Sequence, residues 1–523
     1  MLEESLSRSG FLIARRVLNF VPGLDADAIW WDHGRVRMVG SAAELARKVP
    51  SSVARYELPG ALVTPGFVDS HTHFAAWALN RRRVELAGVR DRAQVLARIA
   101  AGVPEQGWVL GQGFDANDWD RPPDRGQLDA LHTGPVFLDS LDVHAAWVNS
   151  AALAVAGIDR STPDPFGGVI VRDANGEPTG ILLERAVDLV AWTLPAPGPD
   201  RTLRAVRDAQ AVAHRLGVTG IHAVEGPDAL RAFRTMESAG DLALRVVFHP
   251  PVAQLPQLVE AGVRSGQGTE WLSLGGVKLF LDGSLGSRTA WMLAPYEDGR
   301  DCGMPITAED DAAEAVRMAA EAGLACTVHA IGDAAVRLAL DLLEAAPRAD
   351  LPHRIEHFQC VHPDDLARAA RSGIAVSMQP AHLLVDAPLA ESRWGKRSQG
   401  AYAFRTLLDH DTMVLFGSDV PVASIDPREG VYAAMSRIPA GETAGRPWYG
   451  EERITFEEAV RCYTQVPAIA AALADRRGTL AVGQDADLVA WEVDPAVEAG
   501  EGEAFREARS RLTVVGGRVV VQA

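Results

Sequence analysis

Two histidines one residue apart, His71 and His73, close an apolar run in "TPGFVDSHTHF". Side chains alternate along an extended strand, so both rings point to the same face. Alone, such a pair fits a metal site and a pair of hydrogen-bonded core histidines equally well. Other strand-like runs supply what a metal would need. "TVHAIG" offers His329, "RIEHFQ" offers His357 and "FGSDVP" offers Asp419, each near the end of its run. Four imidazoles and a carboxylate from separate strands suit zinc or another borderline divalent ion. Lys278 in "GGVKLFLDG" adds a different chemistry. Val277, Leu279 and Leu281 alternate on the face that would pack outward, which turns Lys278 inward. A buried ammonium is costly, so the amine loses its proton or takes a partner such as Asp282. A neutral amine can instead add carbon dioxide, and the resulting carbamate can bridge two cations. Lysine occurs only at Lys48, Lys278 and Lys396, so a filler role for Lys278 is disfavoured.

These residues need elements to hold them. Strand-like runs span 217–224, 244–250, 275–283, 325–332, 354–359, 374–380 and 412–421, and the opening stretch makes eight. Helical patterns separate several of them: 307–323 opens with a threonine cap and early acids, 333–347 is similar, and 362–373 ends on Gly373. Eight strands interleaved with helices predict an α/β protein built on a distorted (β/α)8 barrel spanning residues 63–478. A doubly wound open sheet is the alternative, but no GxGxxG or Walker pattern supports a nucleotide-binding form. The long gap from about 75 to 210 is predicted to be a subdomain inserted after the first strand, over the catalytic face. The chain ends, 1–62 and 479–523, are β-like and are expected to combine into one small β-sandwich.

The composition narrows the partners. The chain has 523 residues, 47% of them hydrophobic, and a formal net charge of −18. That charge disfavours nucleic acid and anionic membrane surfaces. The first residues are acidic and lack a long apolar run, so neither a signal peptide nor a membrane span is expected. Cys302, Cys326, Cys360 and Cys462 form no CxxC pair and read as free thiols of a cytoplasmic protein. The expected partner is a small-molecule substrate, with homo-oligomerisation left open.

The segments "PGFVDSHTH", "GFDANDW", "HAAWVNSAAL", "GGVIVRDANGEPTGILLE", "VKLFLDGSLGSRTA", "VHAIGD", "RIEHFQ", "VSMQP", "FGSDVPV" and "GQDADLV" run in order along nearly the whole chain. Together they resemble the amidohydrolase superfamily, and within it the family 3 group of YtcJ-like proteins and N-substituted formamide deformylases. The resemblance implies a barrel with a terminal sandwich. It also implies metal ligands at His71, His73, His329, His357 and Asp419, with Lys278 as bridging carbamate. Val143 stands where such proteins are expected to carry glycine. Mononuclear members exist, so the resemblance leaves the metal count open.

The expected reaction is hydrolysis of a non-peptide C–N bond, as in an N-substituted formamide or other acyl-amine. Two zinc ions would activate a hydroxide, and Asp419 would shuttle its proton to the leaving amine. His382, after "SMQP", is the candidate donor to the oxyanion. Arg288, His144, Trp147 and Asp282 are the candidates for contact with substrate or for ordering the site, each with ordinary packing or a salt bridge as its plain alternative. Glu356 has strand parity opposite to His357 and reads as a support behind the ligands. The alternatives to amide cleavage are a mononuclear deaminase or cyclic-amide or ester hydrolase, and a catalytically silent metal-binding protein.

Overall fold

A computed structural model describes residues 8–523 except 82, 118, 120, 196, 443–444, 494–499 and 501. The first seven residues of the opening segment, and Asp118 of "GFDANDW", therefore lie outside the described residues. All eight expected strands are present, and all are parallel. They are β1 Phe67–Thr72, β2 Val218–Val224, β3 Arg245–His249, β4 Val277–Phe280, β5 Cys326–Ala330, β6 Arg354–His357, β7 Ala375–Met378 and β8 Val414–Phe416. Their pairing forms two sheets. One holds β1, β2, β3 and a short strand Leu272–Leu274; the other runs from β4 to β8. Single parallel bridges, Thr72 to Val420 and Pro251 to Lys278, link the two sheets at both seams.

Strand parity sorts the side chains as the alternation requires. Val277, Leu279 and Leu281 are buried in one core with Ala312 and Val316 of helix Glu309–Glu321 and Val336 and Leu340 of helix Asp333–Ala345. The first of these helices is capped by Ala308 rather than Thr307, and its first-turn acids Glu309, Asp310 and Asp311 complement the helix dipole instead. The expected helix over 362–373 divides into a 3-10 turn, Pro363–Asp365, and helix Arg368–Ser372, which Gly373 ends in the left-handed conformation.

Between β1 and β2 lies a six-stranded sheet built from strands between Val84 and Glu184. It has its own cores, around Trp108, Phe137 and Leu182 and around Leu86, Val136 and Trp147. Helices Phe74–Asn80 and Pro199–Arg215, inside the gap read as an insertion, contribute Phe74, Val206 and Ala209 to the core beside β2 and β3. The separate sheet is thus shorter than the gap.

The two chain ends join in a single seven-stranded sheet, the C-terminal strands forming one side of it and the N-terminal strands the other. Strand Arg55–Pro65 lies at its centre, parallel to Gly10–Val17 and antiparallel to Leu488–Glu492. This strand runs through Gly66 straight into β1, so the terminal sheet is anchored beside the histidine pair. Gly66 is required there, because a Cβ atom would come within 2.1 Å of Thr219. Among the described residues, no helix is long and apolar enough to cross a membrane.

Candidate active site

β1 ends at Thr72, so His71 is a strand residue and His73 sits at the start of the following helix. Both rings still converge on Asp419. His71 Nε2 lies 3.6 Å and His73 Nε2 3.4 Å from Asp419 Oδ1. The Nδ1 atoms are held from behind, His71 by Glu356 at 2.5 Å and His73 by the Val224 carbonyl at 2.8 Å. His357 Nε2 approaches Asp419 Oδ2 at 4.0 Å, and the His329 ring packs 4.4 Å from that of His357. His71, His357 and Asp419 bring one donor atom each within 4.8 Å of one another.

His71 Nε2, His357 Nδ1, Lys278 Nζ and Asp419 Oδ1 are all buried without a hydrogen-bond partner among the described residues. An unsatisfied buried polar group costs about 1–3 kcal/mol, so four on neighbouring residues need an explanation. A divalent cation is such an explanation, since neutral imidazole and carboxylate are its usual donors. The protonation states agree. Burial, with neighbouring positive groups, holds His329 and His357 well below the usual histidine range. Burial works against the Asp419 carboxylate, yet His71, His73 and His357 hold it well below the usual range. Burial lowers Lys278 to about 8, against the opposing pull of Glu356 and Asp419.

The backbone is strained where these groups meet. His357 and Asp419 have φ of 71° and 58°, a conformation that costs a non-glycine residue about 1–3 kcal/mol and concentrates at functional sites. The turn at His357 resolves the parity question. Glu356 points inward by strand alternation and meets His71, while the left-handed backbone swings His357 in beside it.

A model of the amidohydrolase family matches residues 56–521. The chain belongs to the amidohydrolase family. It is 32% identical over 518 residues to the amidohydrolase YtcJ of Bacillus subtilis, covering 95% of this chain and 96% of that one. It is 28% identical to the N-substituted formamide deformylase of Arthrobacter pascens, covering 94% of each. A crystal structure of an uncharacterised metal-dependent hydrolase from Pyrococcus horikoshii superposes with a TM-score of 0.78 at 27% identity, covering 95% of this chain and 99% of that one. Family membership places the protein among hydrolases with an α/β fold.

Like the site itself, its supports in this amidohydrolase come from distant segments. Arg354 binds Glu356 through Nε at 2.5 Å, the His222 ring at 2.7 Å and the Ser70 carbonyl at 2.6 Å. Asp69 accepts backbone N–H groups from His71 and Ser418 and so ties the first histidine strand to the Asp419 turn. Arg354, His222 and Asp69 were not marked by the sequence. Arg354 shares strand parity with Glu356, which is the signal that could have found it. A Glu356→Gln substitution is expected to weaken metal binding by roughly 10–100-fold, as loss of an outer partner typically does. Competition of the variant with a chromogenic chelator measures this, and unchanged affinity would reduce Glu356 to packing.

Above this floor opens a cavity of about 780 Å³, lined by His144, His357, His382, Gln359 and Asp419. Phe114, Ile181 and Leu183 of the inserted sheet, with Trp119 of a loop beside it, form an apolar wall. His144 therefore reaches the site from the insertion. Its Nδ1 lies 2.8 Å from Glu184, and Glu184 also accepts from Thr289. Burial opposes charge on His144, but Glu184 raises it to about 9. Val143, where glycine was expected, has φ of 53°, so this loop takes a glycine-like turn with a valine in it. His382 lines the cavity with Nε2 on the Ser418 carbonyl at 3.1 Å, and its Nδ1 has no hydrogen-bond partner among the described residues.

Two of the expected contacts, Trp147 and Asp282, do not line the cavity. Trp147 is fully buried in the core of the insertion, edge-on to Phe114 and Trp119, with Nε1 on the Asp124 carbonyl; it does not line the cavity. Trp147 belongs to strand Ala145–Val148, whereas His144 precedes that strand, directly after the turn at Val143. Trp147→Ala is accordingly expected to cost about 3–5 kcal/mol of stability. Thermal or denaturant unfolding would show it, and a change in substrate preference without loss of stability would contradict it. Asp282 is also fully buried and takes the backbone N–H groups of Trp291, Ile331 and Gly332. Arg288, by contrast, does line the cavity, with its guanidinium paired to Asp298 at 2.8 Å.

Proposed function

We propose that the protein is a metal-dependent hydrolase of a non-peptide C–N bond, with an N-substituted formamide or another acyl-amine as substrate. The observation that carries this reading is the convergence of buried imidazoles on the Asp419 carboxylate, with His357 and Asp419 lining the cavity and the unpartnered buried amine of Lys278 near enough to act on His71, His329 and His357. The residues that would hold the cations are His71, His73, His329, His357 and Asp419, with Lys278 as a carbamate between two ions. Two divalent cations, zinc in this reading, supply Lewis acidity and a water of lowered pKa. Asp419 takes the proton of the attacking water and returns it to the departing nitrogen, for which its position beside His71 and His73 suits it. His144, oriented by Glu184, faces the carbonyl oxygen on which negative charge develops and donates to it. His382 presents Nδ1 to a substrate or water N–H or O–H group. The relatives support this direction, one being a formamide deformylase.

The parallel strands are read as one distorted eight-stranded barrel, supported by the bridges at both seams. A cytoplasmic setting is supported by the free cysteines, three of them buried. The deciding experiment combines metal analysis of the purified protein with a panel of formamides, longer acyl-amines, ring amides, aminopurines and esters. Turnover of formamides or acyl-amines above the others is expected. Preference for a ring amide or an aminopurine with one bound ion would replace this reading by the mononuclear one. Metal without turnover of any member would make the protein a silent binder.

A further inference from the structure

Asp386 lies one helical turn after His382, on helix Leu383–Trp394, and lines the cavity. Its Oδ2 accepts two hydrogen bonds, from Gln359 Nε2 at 2.8 Å and from the Tyr402 hydroxyl at 2.6 Å. Both donors are buried, so the carboxylate is fixed in orientation. Its Oδ1 has no hydrogen-bond partner among the described residues, and it is not among the buried unpaired atoms. It is therefore an acceptor left open to the cavity.

The other charges around the cavity are engaged. Arg172 is bound to Asp164 and to the Thr162 and Ile170 carbonyls. Arg393 is bound to the Leu285 and Gly286 carbonyls and to Asn117. Arg288 faces Asp298 and Asp301. Asp142 receives the hydroxyls of Ser140, Ser284 and Ser287. No lining arginine is thus directed at Asp386. Asp115 adds a second carboxylate of the same sign, bound on one oxygen by Asn117. Burial raises the Asp386 carboxyl and outweighs the opposing pull of His382 and the two donors, as for an anion without a permanent cation beside it. Between Asp386 and the inserted sheet the walls are apolar, with Val385, Leu389, Ile181 and Leu183.

We propose that Asp386 is a specificity-determining residue that receives an ammonium group of the substrate, held on a short apolar stem away from the bond that is cleaved. The substrate class is then an N-formyl or N-acyl amine that carries a second, charged amine. This rests on the reading of the cavity as a site of amide hydrolysis, and it adds which amides the site takes. A charge-assisted hydrogen bond in a cavity with apolar walls has the strength to discriminate, and a neutral substrate would leave Asp386 desolvated without a partner.

The test uses matched N-formyl alkylamines of equal length, one ending in an ammonium group and the other in a methyl group, with the zinc-loaded protein and Asp386→Asn. Asparagine keeps the shape and an acceptor for Tyr402. The parent enzyme is expected to favour the ammonium member by about tenfold or more in kcat/KM. Asp386→Asn is expected to remove most of that preference through KM. Equal turnover of both members by the parent overturns the proposal while leaving amide hydrolysis in place. So does an equal loss for both members in the variant, which is the mark of a structural role. If neither member is hydrolysed, calorimetric binding of the same pair decides. Ammonium-selective binding that Asp386→Asn abolishes upholds Asp386 as the receptor of an ammonium group and removes N-formyl amines as its substrates, whereas unselective or absent binding overturns the proposal.

Discussion

Asp419→Asn is expected to lower kcat by about 10²–10⁴-fold, the usual contribution of a general acid–base group, while much of the bound metal is retained. The carboxylate lies within 4.0 Å of three histidine rings, and its Oδ1 has no hydrogen-bond partner. An amide oxygen can still coordinate there, but the side chain can no longer accept a proton and pass it on. The left-handed backbone at Asp419, φ 58°, is a conformation that asparagine adopts more readily than most residues, so the turn should survive. Metal content and kcat measured on one preparation check this. A rate within a few-fold of the parent would remove Asp419 from proton transfer, and loss of all metal would make it foremost a ligand.

Lys278→Ala is expected to cost at least about 100-fold in activity, and short carboxylic acids should restore part of it. Lys278 Nζ is buried beside the histidines with no hydrogen-bond acceptor, 4.6 Å from the Phe280 ring. As an ammonium it would repel cations. With burial lowering it to about 8, the neutral amine is accessible near neutral pH. That amine can form a bond to the carbon of carbon dioxide and release one proton, giving a carbamate with two oxygens. Alanine leaves room for acetate or propionate to supply the same two oxygens. Carbon NMR of protein loaded with metal and labelled bicarbonate reports the adduct directly. A parent enzyme that is active and fully metallated with no carbamate signal, or a variant that no carboxylic acid rescues, would exclude the bridge and favour a single ion.

The candidate site residues were legible because their types are costly to bury without a reason. Imidazoles at His71, His329 and His357 and the amine at Lys278 stand in runs that alternate with period two, and alternation is a local property of an extended backbone. Local pattern likewise marked each of the eight parallel strands and the helices after β4 and β5. It also favoured β-structure at both chain ends, although the sequence could not say that Arg55–Pro65 would centre one sheet joining them. What depended on tertiary structure was direction and company. His73 and His357 reach Asp419 through backbone turns outside regular strand geometry, which parity cannot foresee. Trp147 and His144, three residues apart, part ways because the inserted sheet has a core of its own to fill. Arg354 and Glu356 act on His71 across a sequence separation of more than 280 residues. The open oxygen of Asp386 has meaning only once Gln359 and Tyr402 hold the other and the arginines around it are engaged. Side-chain type and period are written along the chain; hydrogen-bond partners are chosen by whichever segments packing brings within reach, and that is a property of the whole fold.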